Sequence, residues 1–188
     1  MNMRKIAFAT LFALGSAAFA MPPLPRKAPE FTIVEPGGKQ TLLSSYRGKV
    51  IVLEFISTSC PHCQANSVML TQLHKELGPR GFQPIGVAFN SADNATTVAN
   101  FVRQFNVDFP VGYSTPETVL SYLGFSFMER YVYPEIVVID RKGMIRAQSP
   151  PQGDAALQDA DNLRNMINGL LKEGATTTAA KAPAKKAS

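Results

Sequence analysis

Residues 49–63 read KVIVLEFISTSCPHC, and they join a near-continuous apolar run to the only two cysteines of the chain. Unbroken β-branched and apolar residues predict a strand over Lys49 to Ser57 that is buried on both faces. Apolar residues then recur at helical spacing as far as Leu77 and predict a helix. Two residues separate Cys60 from Cys63, a spacing at which two sulfurs can meet across the first turn of that helix.

This spacing suits thiol–disulfide exchange, in which one cysteine forms a mixed disulfide with a partner and the other resolves it. Pro61 falls near the first helical position, where its missing amide hydrogen has no intrahelical partner to lose. The free amides at a helix N-terminus create a positive potential, which favours a thiolate over a thiol at Cys60. A redox-active dithiol is therefore the favoured interpretation.

Two other uses of the cysteines remain open. A structural zinc site needs about four ligands, and the chain has two cysteines and two histidines. His62 lies inside the motif, but His74 is on the same predicted helix about three turns further on, so no second pair of ligands is evident. A purely structural disulfide would suit an exported protein, but its loop is too short to constrain the unfolded chain much.

The N-terminus has the composition of an export signal. Arg4 and Lys5 precede an uncharged apolar segment, residues 6–19, and Ala18 and Ala20 are small residues suited to a cleavage site. These features predict a signal peptide over residues 1–20 and an exported protein, periplasmic or otherwise extracytoplasmic. The apolar run is short for a transmembrane helix, and an uncleaved membrane anchor is the alternative.

The net charge of +5 comes from the two ends of the chain. Five of the 19 Lys and Arg residues lie within residues 1–20 or 174–188, which leaves 14 basic and 14 acidic residues over 21–173. The central part is thus near neutral and offers no basic face for nucleic acid. Residues 174–188 contain no aromatic or large aliphatic side chain, and this Ala/Thr/Lys composition predicts a disordered tail.

Between the ends, the sequence predicts a proline-rich lead-in over residues 21–29 and one domain over residues 30–173. Hydrophobic periodicity and turn residues predict its elements. In order they are a hairpin of strands over 31–34 and 40–43, the strand over 49–57, a helix over 64–77, a strand over 82–89, a helix over 96–106, an extended piece over 109–112, a helix over 116–123, an antiparallel strand pair over 136–140 and 144–148, and a helix over 155–172. Pro84 is expected to weaken the first half of its strand.

This order of elements resembles the thioredoxin superfamily, and in layout its exported TlpA/ResA-like (redoxin, AhpC/TSA-type) branch. The matching residues are Ala28-Pro29-Glu30-Phe31, Leu42 to Gly48 before the apolar strand, the cysteine pair, and Tyr133-Pro134-Glu135 before the strand and turn over 136–143. The tetrapeptide CPHC, with Glu54 and Phe55 ahead of it, resembles instead the DsbA-type oxidases. The resemblance implies an α/β thioredoxin-like fold: a central mixed β-sheet flanked by helices, with an N-terminal β-hairpin extension.

The resemblance also implies roles for individual residues. Cys60 matches the nucleophile and Cys63 the resolving thiol. Pro61 and His62 complete the motif between them, and His62 stands where the family stabilises the Cys60 thiolate. Glu54 matches an acid that transfers protons to the buried second cysteine, and desolvation in an apolar strand would raise the pKa of this carboxyl.

Two further residues match the substrate-binding part of the family. Pro134 matches a cis-proline, and only X–Pro bonds take the cis form at useful frequency. The residue before it in the family lies against the dithiol and offers backbone hydrogen bonds to an extended substrate. That residue here is Tyr133, which is bulkier than the usual Val, Thr or Gly, and Ser59 stands where the reductase branch usually has Trp.

The function that follows is an extracytoplasmic thiol–disulfide oxidoreductase acting on protein thiols or disulfides. An upstream redox partner, which can be membrane-bound, would regenerate it. No cofactor or metal is expected beyond the redox-active disulfide Cys60–Cys63. The direction of exchange is open, because the TlpA/ResA-like layout of the domain suggests a reductant and the CPHC tetrapeptide suggests an oxidant.

Two alternative functions use the same thiols. A peroxiredoxin-type peroxidase would carry Pro-x-x-x-Thr-x-x-Cys; Ser57 fits that motif, but Leu53 stands where it needs proline. A Cu(I)-handling chaperone would use the two thiolates as soft ligands. The other soft side chains are scattered methionines such as Met128, which form no Met/His cluster.

Overall fold

The computed structural model describes residues 21–179, and the side chains of these as far as residue 173. The predicted signal peptide and residues 180–188 of the predicted tail lie outside the described residues. Within the described part, no helix is long and apolar enough to cross a membrane.

Eight strands form one mixed sheet. They are β1 (Arg26–Lys27), β2 (Thr32–Val34), β3 (Gln40–Leu42), β4 (Val50–Ile56), β5 (Phe82–Ala88), β6 (Val111–Tyr113), β7 (Glu135–Ile139) and β8 (Met144–Gln148). Their order across the sheet is β1-β8-β7-β4-β5-β6-β2-β3. The central strand β4 runs parallel to β5 and antiparallel to β7. The predicted hairpin, β2 and β3, extends the sheet by pairing β2 with β6, and this confirms the α/β class with its N-terminal extension.

All seven residues of β4 are buried, as the apolar run predicts. Val52 and Ile56 pack into one hydrophobic cluster, whereas Leu53 and Phe55 pack into a second cluster on the other face of the sheet. Because successive side chains of a strand point to opposite faces, β4 contributes to both halves of the core. Glu54 falls on the Val52 side of the strand.

Four helices cover the sheet: α1 (Pro61–Leu77), α2 (Ala95–Gln104), α3 (Pro116–Leu123) and α4 (Ala160–Ala179). Helices α1, α2 and α4 contribute to the first cluster, and α3 packs into the second together with the N-terminal hairpin. Asn94 begins α2 with a capping box, its side chain accepting from the Thr96 and Thr97 amides. The helices expected over 64–77, 96–106 and 116–123 are thus confirmed, with α1 beginning at Pro61.

One local prediction was wrong. The last helix begins at Ala160 instead of residue 155, because the Asp159 carboxylate accepts from the amides of Asp161 and Asn162 and so caps it there. It ends at Ala179, so it continues into the segment predicted as a tail. The half of β5 that contains Pro84 keeps its register with β4 but has no partner on the β6 side, where pairing begins at Gly86, as expected for a residue without an amide hydrogen.

Candidate active site

The two cysteines lie where β4 passes into α1. Cys60 is the N-cap residue of α1 and Pro61 occupies its first turn. The Cys63 amide donates to Cys60 Sγ over 3.4 Å. An amide at a helix N-terminus that points at a sulfur is the arrangement that favours negative charge on it in general, and its effect on Cys60 stays a prediction.

The two thiols differ in exposure. Cys60 is partly exposed, whereas the side chain of Cys63 is 0% exposed and belongs to the core. Burial raises the pKa of the Cys63 thiol far above its usual value, and the neighbouring Cys60 and Glu54 raise it further against a lowering effect of the Ser57 backbone. One sulfur is therefore accessible to a partner, and the other is held as a thiol until something removes its proton.

Glu54 is the buried carboxyl beside this pair. Its side chain is 0% exposed, and burial raises the pKa of Glu54 to about 7. Two side chains of α1 donate to it: Ser67 Oγ to Oε1 over 2.6 Å and Asn66 Nδ2 to Oε2 over 2.7 Å. The predicted burial and raised pKa are confirmed, and a carboxyl with this pKa can both accept and return a proton near neutral pH.

Tyr133 and Pro134 come to the same edge of the sheet. β7 runs antiparallel to β4 and pairs Glu135 with Phe55, so the segment before β7 lies beside the end of β4. The Tyr133–Pro134 peptide bond is cis. Cys60 Sγ lies 3.8 Å from the Tyr133 carbonyl oxygen, and the Tyr133 ring packs against Phe89 with centroids 4.9 Å apart. The proximity of this segment to Cys60 is therefore confirmed; its contact with a substrate stays a prediction.

The histidines differ in surroundings. His62 is exposed on the first turn of α1, so it lies beside the cysteines and open to solvent, and its effect on the thiolate stays a prediction. His74 lies near the other end of α1, where Nδ1 is 3.1 Å from an Asp108 carboxylate oxygen. The contact with Asp108 accounts for the position of His74, and we assign this residue no role in thiol chemistry.

The Asp93 side chain holds the loop that precedes Cys60 through hydrogen bonds. No local sequence pattern indicated this role. Its carboxylate accepts from the Thr58 amide and hydroxyl and from the Asn90 amide. Thr58 and Asp93 are 35 residues apart, so the contact exists only because β4 and β5 are neighbours whose ends lie together.

Glu135 is a second buried carboxyl at the edge of the sheet that holds the dithiol. It is 0% exposed, and among the described residues its carboxyl oxygens have no hydrogen-bond partner. Burial raises the pKa of Glu135 to about 8. A charged residue opening a buried strand directly after Pro134 was the available sequence signal.

The sulfurs of Cys60 and Cys63 are not bonded to each other, so the structure represents the dithiol form. In the described part of the chain, no group of three or more His, Cys, Asp or Glu side chains lies together as a metal site.

Comparisons with known proteins agree with this geometry. A sequence model of the AhpC/TSA family matches residues 24–148. The thiol-disulfide oxidoreductase ResA of Bacillus thuringiensis (strain Al Hakam) is 26% identical over 123 residues, which cover 65% of this chain and 67% of ResA. The probable glutathione peroxidase 8-B of Xenopus laevis is 31% identical over 87 residues, covering 43% of this chain and 42% of that protein.

Among solved structures, a thiol:disulfide interchange protein of the thioredoxin family from Chlorobium tepidum TLS superimposes with a TM-score of 0.65. It is 25% identical, and the match covers 80% of this chain and 99% of that one. Together with the strand–motif–helix arrangement, these matches confirm the resemblance drawn from the sequence. The chain belongs to the AhpC/TSA family and is a TlpA/ResA-like member of the thioredoxin superfamily.

Proposed function

We propose that this protein is an extracytoplasmic thiol–disulfide oxidoreductase that exchanges disulfides with protein substrates through Cys60 and Cys63. The observation that carries the proposal is the pairing of a partly exposed sulfur at a helix N-terminus with a buried sulfur one turn away. The similarity to ResA, named a thiol-disulfide oxidoreductase, supports the same activity.

The chemistry runs in two steps. In the reducing direction, the Cys60 thiolate attacks a substrate disulfide and forms a mixed disulfide, and one substrate sulfur leaves as a thiolate. Cys63 then loses its proton to Glu54 and attacks Cys60 Sγ; the bond to the substrate breaks, and the second substrate sulfur leaves. Two electrons pass to the substrate, and Cys60–Cys63 becomes the disulfide. The oxidising direction is the reverse.

Substitution of each cysteine tests the proposal. Cys63→Ser should accumulate a mixed disulfide with a model substrate such as insulin, because nothing resolves it, whereas Cys60→Ser should form none. Gel electrophoresis without reductant and mass spectrometry detect the adduct. Equal adduct formation by both variants would contradict the assignment of Cys60 as nucleophile.

The direction of exchange follows from the reduction potential, measured by equilibration with glutathione. A value near thioredoxin's, about −270 mV, supports a reductant, and a value near that of DsbA, about −120 mV, supports an oxidant. The names of ResA, a thiol-disulfide oxidoreductase, and of the Chlorobium tepidum protein, a thiol:disulfide interchange protein, state exchange without a direction. The measured potential therefore decides between the two directions.

A thiol peroxidase is the second candidate, supported by the similarity to a probable glutathione peroxidase. Peroxide consumption that survives Cys63→Ser would favour it, because a peroxidatic Cys60 needs no neighbouring thiol for its first step. Stoichiometric Cu(I) binding without disulfide exchange would instead favour a copper chaperone.

Two arguments support the extracytoplasmic location. The N-terminus is predicted to be a signal peptide, and disulfide exchange takes place mainly in oxidising compartments outside the cytoplasm. Expression of the full chain in a bacterium, fractionation and N-terminal sequencing test it. We expect a periplasmic protein starting near Met21; a membrane-bound protein of full length would support the uncleaved anchor.

A further inference from the structure

The Glu54 carboxyl is attached to α1 by two side chains that the proposed exchange steps do not use. Asn66 and Ser67 are adjacent on α1, directly after the turn that carries Cys63, and both are buried. Each donates to a different carboxyl oxygen, Ser67 to Oε1 and Asn66 to Oε2. No oxygen of Glu54 is left without a donor on the helix that also carries the resolving thiol.

The second observation is an unused acceptor. Asn66 Oδ1 is buried and has no hydrogen-bond partner among the described residues, although an amide side chain has both a donor and an acceptor end. An ionised carboxyl only accepts hydrogen bonds, whereas a protonated one must also donate. Rotation of the Asn66 amide would bring Oδ1 to the carboxyl when Glu54 becomes a donor, and a hydroxyl such as that of Ser67 can donate or accept.

The remaining neighbours of Glu54 carry no charge. In the sheet it pairs with Gly86 of β5 and with Ile136 of β7. Its face of β4 packs on the cluster that includes Leu163 and Ile167 of α4. Among the described residues, Cys63 is the titratable group whose pKa responds to the charge of Glu54. The two helix side chains are therefore the polar groups that can respond to its protonation.

We propose that Asn66 and Ser67 are positioning residues that hold the Glu54 carboxyl on α1 in both of its protonation states, Asn66 by turning its amide over as the carboxyl gains or loses its proton. The inference rests on the proposed function, in which Glu54 exchanges a proton with Cys63. When Cys63 attacks Cys60 Sγ, its S–H proton goes to Glu54, and the amide turns. When Cys63 leaves as a thiolate in the reverse step, Glu54 returns the proton, and the amide turns back.

Substitution of the two donors, with the titration of Glu54 as readout, tests the proposal. Asn66→Leu keeps the approximate shape and Ser67→Ala removes only the hydroxyl. Each should raise the pH at which Glu54 titrates by about one unit, because the hydrogen bond lost from the charged carboxylate is stronger than the one lost from the neutral acid. The carboxyl C=O infrared band of the reduced protein reports this titration. The pH profile of mixed-disulfide resolution should move with it. At pH 7 an upward move of one pH unit would slow resolution about fivefold, because the ionised fraction of Glu54 falls from about one half to about one tenth.

Matched variants separate this effect from loss of a buried polar group. Thr71→Val removes a buried hydroxyl that has no hydrogen-bond partner, from the same helix, and should leave the titration of Glu54 unchanged. Ser67→Thr keeps the hydroxyl and should restore the wild-type profile. If Asn66→Leu does not fold, Ser67→Ala carries the test.

The amide rotation has its own readout. The side-chain ¹⁵N and ¹H resonances of Asn66 should shift with the pH midpoint of Glu54, and Glu54→Gln should remove that shift. Titration of Glu54 that is unmoved in Asn66→Leu and Ser67→Ala, or Asn66 resonances independent of pH, would overturn the inference. If the titration moves but Glu54→Gln resolves mixed disulfides at the wild-type rate, the proton transfer of the proposed function fails while the hydrogen-bond device stands.

Discussion

At the scale of single residues, the proposed chemistry depends on the buried carboxyl of Glu54. The carboxyl lies in the core beside a buried thiol, and the same burial raises the pKa of both groups. A base that titrates near pH 7 suits a thiol that must be deprotonated only when it is needed. In the proposed function, Cys63 stays protonated until a mixed disulfide at Cys60 gives it a target.

Glu54→Gln tests this relation. We expect resolution of the mixed disulfide to slow by about 100-fold near pH 8, the lower range for general acid–base catalysis. The inflection near pH 7 in the wild-type rate profile should disappear, since Gln cannot take the proton. Stopped-flow measurement of substrate thiol release gives both quantities. A variant that retains the inflection would assign it to another group.

At the scale of elements, the loop between β4 and α1 determines where Cys60 points. It is tied to the loop after β5 by the Asp93 carboxylate, which bonds to the backbone and side chain of Thr58. The other side of the nucleophile is bounded by the segment before β7, through the Tyr133 carbonyl. Three loops at the same end of the strands therefore surround the Cys60 sulfur. From helix α1, the Cys63 amide donates to it.

Asp93→Ala should lower the free energy of unfolding by about 2 kcal/mol, because hydrogen bonds to a charged group contribute about 1.5–3 kcal/mol each and these are partly exposed. Urea unfolding of the reduced protein measures the change. Asp108→Ala, which breaks a surface contact with His74, is the matched control and should cost less than about 1 kcal/mol. An equal loss of unfolding free energy in both variants would show that the hydrogen bonds of Asp93 stabilise the protein no more than the surface contact does.

At the scale of the whole molecule, two carboxyls are buried on opposite faces of one sheet. Glu54 pairs with Ile136 and faces the cluster under α1, while Glu135 pairs with Phe55 and faces the other cluster. Both have a raised pKa in the folded protein. The folded state therefore binds protons more tightly than the unfolded chain, and stability must fall as these protons are lost.

The reduced protein should consequently be most stable below about pH 5 as far as these two groups are concerned, and lose stability up to about pH 8. The shift of Glu54 from 4.5 to about 7 corresponds to about 3 kcal/mol, and Glu135 acts in the same direction. Urea unfolding at a series of pH values measures this slope. Glu54→Gln combined with Glu135→Gln should flatten it; a slope that persists would come from other groups.

Much of the fold could be predicted because its signals are local. The apolar run of β4 and the helical spacing after Cys63 each lie within one segment, and α3 and β8 have the predicted bounds. The last helix was placed wrongly at its start: Asp154 accepts from the Ala156 amide in a turn that does not continue as a helix, whereas Asp159 accepts from the Asp161 amide at the start of α4. The boundaries of the predicted tail and the role of His62 stay predictions.

The sequence by itself determined the Cys60-x-x-Cys63 spacing and the position of Glu54 within an apolar strand, since both are patterns within one segment. The roles of nucleophile and proton-transferring acid came from the family resemblance and stay predictions. Tertiary structure alone decided what surrounds these residues. The contacting residues are far apart in the sequence. Asn66 and Ser67 are 12 and 13 residues from Glu54, Asp93 is 35 residues from Thr58, and Tyr133 is 73 residues from Cys60. The physical reason is that these contacts follow from which strands are neighbours and which faces are buried, and no local pattern encodes either.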